Sequence, residues 1–222
     1  MTMRAFRALA FGLAVILAAL ASERARAHPH VWVTMETEVE LGPNKEIVGF
    51  KHRWTFDEMY TGFAINGLDT NGDGIYSEEE LKPLAQTNVE ALKEFEYFTF
   101  AFVGKDKVTL KEPAEYRLEY KDKLLTLYFT LPLETPVPYA KIKDFSFSVY
   151  DPGMYVSLTF NGKTPVTIAS AKPVPCSARV GERSAAKDKA KEATLSQLGE
   201  AIDPSSNIGS EFAERVRIEC KS

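Results

Sequence analysis

The stretch Val31–Leu41 reads V-W-V-T-M-E-T-E-V-E-L, with apolar and polar side chains in alternation. Successive side chains of a β-strand point to opposite faces, so this alternation predicts a half-buried strand. One face carries three glutamates and a tryptophan, and the other face is apolar. The apolar face consists of Val31, Val33, Met35, Val39 and Leu41.

A turn sequence, G-P-N at residues 42–44, leads into a second alternating stretch, Ile47–Phe56, and the two together predict a β-hairpin. Shorter apolar stretches follow, separated by further turn sequences. Many short antiparallel strands at such spacing are typical of a β-sandwich, of the immunoglobulin-like or Greek-key kind. The further predicted strands are residues 97–103, 107–110, 115–120, 124–131, 145–150, 155–160, 166–169 and 216–220.

Residues 69–81, between the second and third predicted strands, read D-T-N-G-D-G-I-Y-S-E-E-E-L. Oxygen-bearing side chains stand where a 12-residue EF-hand loop binds Ca²⁺, and Gly74 stands at the sharp turn of that loop. We therefore expect an EF-hand-like helix-loop-helix insertion at residues 57–96. The alternative is a metal-free surface turn rich in Asp, Asn and Gly. The predicted ligands are the side chains of Asp69, Asn71, Asp73, Ser77 and Glu80 and the carbonyl of Ile75.

The first 27 residues have the features of a signal peptide: Arg4 and Arg7, an apolar run at residues 8–21, and A-R-A at residues 25–27. The run is shorter than the ~20 apolar residues that a membrane-spanning helix needs, which argues against an uncleaved anchor. Cleavage predicts a periplasmic protein that begins at His28. The cleaved segment holds four of the 27 Lys and Arg and one of the 31 Asp and Glu, which leaves a net charge of −7. Such an acidic chain is poorly suited to binding nucleic acid.

The remaining chain, residues 28–222, has the length of one domain. Its segment 181–206 is rich in Ala, Lys and Glu, and we expect an exposed helix or a mobile hinge there. The two cysteines of the chain, Cys176 and Cys220, lie on either side of that segment. In an oxidising compartment they are expected to form a disulfide, whereas a redox-active pair is disfavoured because no C-x-x-C motif is present.

The three histidines, His28, His30 and His52, lie near the predicted mature N-terminus. An N-terminal amine with imidazoles suits Zn²⁺, Ni²⁺ or Cu²⁺, and we consider a transition-metal site that uses His28 and His30 and, less directly, His52. A solvated terminus is the alternative for the first two, and a hydrogen-bonded core histidine is the alternative for His52.

The sequence contains no P-loop, G-x-G-x-x-G, G-x-S-x-G or H-E-x-x-H motif. We therefore expect no enzymatic activity. The turn at residues 151–153, next to Tyr150 and Tyr155, either lines a pocket or only connects two strands.

Nearly all of the mature chain resembles a bacterial family of unknown function whose members are described as periplasmic components of an uncharacterised ABC-type transport system. The resemblance implies traffic of nickel, cobalt or zinc and a membrane transporter component as partner; it implies no reaction. It rests on H-P-H-V at 28–31, W-T-F-D-E at 54–58, the D-T-N-G-D-G loop with E-E-L, N-V-E-A-L at 88–92, Y-F-T at 97–99, V-Y-D-P at 149–152, Y-V at 155–156 and C-S-A-R at 176–179.

Three functions follow from these features. The first is a non-enzymatic periplasmic calcium-binding accessory protein of a divalent transition-metal transport system. The second is a copper-binding redox protein that uses the N-terminal His28. The third is a calcium-stabilised structural module that docks onto a membrane partner.

Overall fold

The structure, a computed structural model, describes residues 30–113, 115–181, 189 and 204–221. Within them the chain is mainly β, with one sheet of six strands, another of five strands and few helices. The predicted signal peptide and His28 lie outside the described residues, as does nearly all of segment 181–206. In the part of the chain that the structure describes, every helix is too short or too polar to span a lipid bilayer.

Eleven strands and three α-helices are present in the described residues. The strands are β1 Val31–Leu41, β2 Ile47–Phe56, β3 Thr99–Val103, β4 Asp106–Val108, β5 Glu115–Lys121, β6 Leu124–Val137, β7 Phe145–Val149, β8 Val156–Phe160, β9 Val166–Ser170, β10 Cys176–Val180 and β11 Arg215–Cys220. The helices are α1 Glu58–Ala64, α2 Glu78–Lys93 and α3 Gly209–Phe212, and short 3₁₀ turns occur at Glu96–Phe98, Tyr139–Asp144 and Pro204–Ser206.

The predicted hairpin of β1 and β2 is confirmed, and the two strands pair antiparallel from Val33 opposite Phe56 to Leu41 opposite Ile47. All five apolar residues assigned to the inner face of β1 are buried. Thr37 shares that face and is also buried. The first sheet has the order β5-β6-β2-β1-β8, with β9 also paired to β1.

The expectation of antiparallel strands fails at one edge of this sheet. Both β8 and β9 run parallel to β1; β8 pairs with its first half and β9 with its second half. The two strands therefore act as one interrupted edge strand. Side-chain alternation is the same in parallel and antiparallel strands, so the sequence pattern carried no information on direction.

The second sheet has the order β10-β11-β7-β3-β4, and every pairing in it is antiparallel. Buried residues of both sheets belong to one hydrophobic core, in which the rings of Phe50 and Phe147 lie 4.8 Å apart. Helix α2 packs against β5 and buries Leu81, Ala85 and Val89. The helical insertion thus shares the core of the sheets.

The predicted disulfide is confirmed: Cys176 is bonded to Cys220. The two residues stand opposite each other in the pairing of β10 with β11. The bond therefore fastens the last strand of the chain to the edge strand beside it. Such bonds are typical of proteins that fold outside the cytoplasm.

Removing this disulfide should destabilise the protein. The two cysteines are 44 positions apart, and chain entropy for a loop of that length gives a loss of roughly 4 kcal/mol in the free energy of unfolding. The measurement is urea unfolding of a Cys176→Ala/Cys220→Ala double variant. The wild type with a reducing agent is the control and should unfold at the same lower urea concentration; a variant as stable as the oxidised wild type would contradict the prediction.

Candidate functional site

The helix-loop-helix segment is anchored to the first sheet through the start of α1. The Asp57 carboxylate accepts a hydrogen bond from the Tyr60 backbone N–H at 2.9 Å, which caps α1, and another from the Trp32 N–H of β1 at 2.8 Å. Farther along α1, the Thr61 hydroxyl accepts the Leu125 N–H of β6 at 3.1 Å. Sheet and helix are therefore fixed relative to each other.

Helix α2 begins directly after the acidic loop. Ser77 and Glu80 form a capping box, in which the Ser77 hydroxyl accepts the Glu80 N–H and the Glu80 carboxylate accepts the Ser77 N–H. Pro83 lies inside this helix, where a proline removes one backbone hydrogen bond. The helix nevertheless begins at Glu78, because the capping box satisfies its first N–H groups.

Asp69 organises the first half of the predicted calcium loop. One carboxylate oxygen accepts the N–H groups of Gly72 at 2.8 Å and Asp73 at 3.1 Å, and the other accepts the Gly74 N–H at 3.0 Å. Gly72 and Gly74 have φ angles of +73° and +77°, which favour glycine. The chain thus turns around the Asp69 carboxylate.

The following ligand candidates continue the same pattern. The Asn71 side-chain oxygen accepts the Asp73 N–H at 2.8 Å, and an Asp73 carboxylate oxygen accepts the Ile75 N–H at 2.7 Å. The Asn71 amide also donates to the second Asp73 oxygen at 3.0 Å. These side chains therefore face the backbone of their own loop.

Glu80 closes the loop by reaching back to its start. Its carboxylate accepts hydrogen bonds from the N–H and hydroxyl groups of both Ser77 and Thr70, at 2.8 to 3.0 Å. These bonds, with those from Ser77 the strongest, lower the pKa of Glu80 to about 2. Glu80 is therefore a carboxylate at neutral pH, as a calcium ligand must be.

The loop carries the predicted ligand residues in the predicted order. Among the described residues, no group of three or more His, Cys, Asp and Glu side chains is arranged as a metal site. The helix-loop-helix is present, and calcium binding by it stays a prediction.

The structure separates the histidines that the sequence grouped together. His30 is exposed just before β1, and its ring lies 4.6 Å from that of Tyr155. His52 pairs with Thr37 of β1. Thr37 is seven residues beyond His30, which is a distance of roughly 20 Å along an extended strand. A site using both residues is not formed within the described chain, and the pairing of His30 with His28 stays a prediction.

His52 is a core histidine, 2% exposed. Its Nδ1 lies 2.9 Å from the Thr37 hydroxyl, and its Nε2 lies 3.3 Å from the Thr99 hydroxyl. Because Thr99 donates its own proton to the Tyr97 carbonyl, Nε2 is the ring nitrogen that carries hydrogen and Nδ1 accepts from Thr37. Both ring nitrogens are thus occupied by hydrogen bonds within the core.

A cavity of about 560 Å³ lies beside this core, at the end of the first sheet where β1 begins. Its walls are the inner face of β1 and β2, the second half of α2, and the turn at residues 151–155. From the sequence, this turn was expected either to line a pocket or only to connect two strands. In the structure it connects β7 and β8 and also lines the cavity. Asp151 accepts the N–H groups of Gly153 and Val156, each at 2.8 Å, and also lines the cavity.

The turn is supported from behind by α3. Gly209 lies against Asp151 so closely that a Cβ at this position would clash with the Asp151 carbonyl oxygen. The Gly209 N–H also donates to the Pro152 carbonyl at 3.2 Å. One wall of the cavity is thus held in place by the C-terminal part of the chain.

Sequence reasoning missed most of this cavity. Its lining includes Trp54, Phe56, Leu92 and Phe98, which read in the sequence as ordinary core residues. The sequence held no signal for the cavity, because its walls come from strands, a helix and a turn that lie far apart in the chain.

Burial disfavours protonation of His52 and lowers its pKa from 6.5 to about 3. The unfolded chain therefore binds a proton that the native state does not bind, and stability should fall as the pH drops from about 6.5 towards 3. One such proton contributes a slope of about 1.4 kcal/mol per pH unit.

Replacement of His52 by Gln should remove this slope. Urea unfolding between pH 6 and pH 4 measures it for the wild type and for His52→Gln, and the comparison of slopes is independent of any overall loss of stability. Equal slopes in the two proteins would show that His52 does not titrate as expected.

Comparison with known proteins gives the family. The chain is 26% identical over 196 residues to an uncharacterized protein of Haemophilus influenzae, across 88% of this chain and 92% of the relative. It is 27% identical over 106 residues to an "Uncharacterized 15.5 kDa protein in trpE 3'region" of Spirochaeta aurantia, across 45% of this chain and 70% of the relative. Residues 13–220 match the family described as "Protein of unknown function (DUF1007)", and the chain therefore belongs to the DUF1007 family.

Proposed function

We propose that the protein is a non-enzymatic, calcium-binding accessory protein of a divalent transition-metal transport system in the periplasm. The observation that carries this proposal is the acidic loop of residues 69–80 between α1 and α2. The link to transport rests on the family resemblance of the sequence. Export is supported by the disulfide and by the signal-peptide features of residues 1–27.

Calcium fits the chemistry of the loop better than a softer metal does. Ca²⁺ binds six to eight oxygen atoms, and the loop offers carboxylate, amide, hydroxyl and carbonyl oxygens without sulfur or imidazole. The hydrogen bonds around Asp69 already set the turn, so that binding requires less ordering of the backbone.

Glu80 is the residue that must move. To bind calcium with both oxygens, it exchanges its hydrogen bonds to Thr70 and Ser77 for the ion. This competition favours an affinity in the weak range of extracellular calcium sites, about 10⁻⁴ to 10⁻³ M. A site of that affinity is filled only where calcium is plentiful, as outside the cytoplasm.

The body that carries this loop is, in our interpretation, a β-sandwich with the EF-hand-like unit inserted between β2 and β3. The support for a sandwich is the single core shared by the two sheets. The insertion lies against β5, an edge strand of the first sheet. Calcium would then stabilise the insertion on the sheet.

Calcium should raise the melting temperature of the protein, and Glu80→Gln should abolish the rise. At 5 mM calcium, a site with the affinity given above adds about 1 to 2 kcal/mol, which corresponds to several degrees for a domain of this size. Gln at this position still completes a capping box, so the helix should persist.

Glu79→Gln is the matched control, since it removes the same charge from the same helical turn without touching a predicted ligand. Thermal unfolding with and without calcium compares the three proteins. A calcium response retained in Glu80→Gln, or lost in Glu79→Gln, would refute the assignment of the loop.

The transition-metal part of the proposal depends on the N-terminus. The His30 backbone N–H donates to the Tyr155 carbonyl at 2.8 Å, so the chain is held in place at His30, one of the two predicted ligands. Imidazoles and a free amine at such a point are suitable ligands for Zn²⁺, Ni²⁺ or Cu²⁺, and an incomplete ligand shell suits transfer to a membrane transporter component.

A His28→Ala/His30→Ala variant should lose binding of transition metals while it keeps its calcium response. The measurement is calorimetric titration of the calcium-loaded protein with zinc, nickel and copper at micromolar concentration. Equal binding by the variant and the wild type, or no binding by either, would remove transition metals from the proposed function and leave a calcium-stabilised module.

A further inference from the structure

Strand β5 lies at one edge of the first sheet. In the part of the chain that the structure describes, it pairs with β6 and with no other strand. The outward N–H and C=O groups of an edge strand are a template on which another strand can pair. The side chains of β5 are open to solvent on both faces, since Tyr116 is 37% exposed and the side chain of Arg117 is 43% exposed. This edge is therefore accessible.

The two faces of β5 differ in chemistry. Leu118 is buried opposite Leu127 of β6, so Leu118 and the residues two positions away from it face the core side of the sheet. The residues of the outer face carry charges of alternating sign. They are Glu115, Arg117, Glu119 and Lys121. Charges on an edge strand often keep other strands away, but with both signs present the effect depends on the register of the approaching strand.

The order of these charges makes β5 complementary to a second copy of itself. Two copies of one edge strand pair antiparallel around a two-fold axis, and residues directly opposite each other then point to the same face. With the axis at Leu118, Arg117 lies opposite Glu119 of the second copy, and Glu115 lies opposite Lys121 of the second copy. Symmetry repeats each contact, so every charged residue of the strand faces a residue of opposite charge.

The neighbouring registers bring like charges together. With the axis at Arg117, this residue faces its own copy and Glu115 faces Glu119. With the axis at Glu119, that residue faces its own copy and Arg117 faces Lys121. Like charges directly opposite each other destabilise a pair of strands, whereas opposite charges stabilise it. The charges of β5 therefore favour one register of self-pairing.

Arg117 is held in a position that suits this contact. Its guanidinium lies 3.9 Å from the centroid of the Tyr128 ring, on the outer face of β6. This contact restricts the side chain, so that less freedom is lost when it pairs with a second copy. Arg117 also contacts Glu119 of its own chain at 3.3 Å, and an exposed ion pair of this kind contributes little to stability. Exchanging it for a contact between copies therefore costs little.

We propose that the protein forms a two-fold symmetric dimer in which β5 of one copy pairs antiparallel with β5 of the other, with Leu118 at the axis. The first sheets of the two copies then join into one continuous sheet. The seven residues of β5 supply about six to eight backbone hydrogen bonds, and the ion pairs on the outer face fix the register. The interface includes neither the acidic loop nor the N-terminus and is independent of the proposed function.

Sedimentation equilibrium tests the association, with protein purified from the periplasm of cells that express the full-length chain. The mass should rise from that of one chain to that of two as the concentration increases from micromolar towards millimolar. It should rise no further, because a two-fold contact closes on itself. A mass of one chain over the whole range, or growth into larger species, would overturn the proposal.

Two charge reversals test the register. Arg117→Glu places two glutamates opposite each other, and Glu119→Arg places two arginines opposite each other. Each variant alone should associate at least about tenfold more weakly than the wild type. In an equal mixture, contacts between the two variants again join opposite charges, so the mixture should associate within about threefold of the wild-type affinity. A mixture as weak as the separate variants would show that β5 does not pair in this way.

Arg53→Glu is the matched control, because it makes the same charge change on the same face of the sheet but on β2, two strands from the edge. Its self-association should stay within about threefold of the wild type. A loss as large as that of Arg117→Glu would indicate a general effect of charge and refute the contact. Circular dichroism and urea unfolding check the fold of each variant. Should either reversal prevent folding, Glu115→Lys and Lys121→Glu make the same comparison at the outer pair of charges.

Discussion

The structure depends on the burial of one face of β1. This strand is hydrogen-bonded along both of its edges, to β2 on one side and to β8 and then β9 on the other. Its apolar side chains form part of the core, and its first residues, Val31 and Val33, form part of the cavity. A shift of one residue in any pairing would turn these side chains to the outer face. Core, cavity and N-terminus are therefore fixed by one register.

Asp57 links β1 to the helices. Its carboxylate joins the backbone of Trp32 in β1 to the first turn of α1, and α1 leads through the acidic loop into α2. The loop and the cavity therefore lie at the two ends of α2, with the loop at its N-terminus and the cavity along its second half. A single rigid helix connects the two candidate sites.

Alternation in β1 and β2 was sufficient to predict a buried face, a hairpin and a mainly β fold, because side-chain direction in a strand follows directly from sequence position. The disulfide also followed from the sequence, since the two cysteines could pair only with each other within the chain. Strand β10 was missed because C-S-A-R-V is too short and polar for a clear pattern. The strand predicted at residues 97–103 began two residues too early, since an apolar run does not distinguish a strand from the 3₁₀ turn that ends at Phe98.

The two candidate sites also differ in how far the sequence alone reveals them. The acidic loop has a fixed order of residues, so the sequence reveals it, whereas the cavity is assembled from β1, β2, α2 and a turn far apart in the chain. His52 shows most clearly what the sequence could not predict. Its sequence neighbours Phe50 and Trp54 suggested burial, but the partners that occupy its nitrogens, Thr37 and Thr99, come from two other strands.

The parallel edge of the first sheet also bears on how the chain folds. Val31 pairs with Val156, about 125 residues later, and the second sheet needs β11 at the end of the chain. Folding rates fall as contacts become more distant in sequence. The first sheet cannot be completed before β9 has been made, nor the second before β11, so the native state depends on contacts between distant parts of the chain. We therefore expect this chain to fold more slowly than a domain of similar length whose strands pair mainly with their neighbours in sequence.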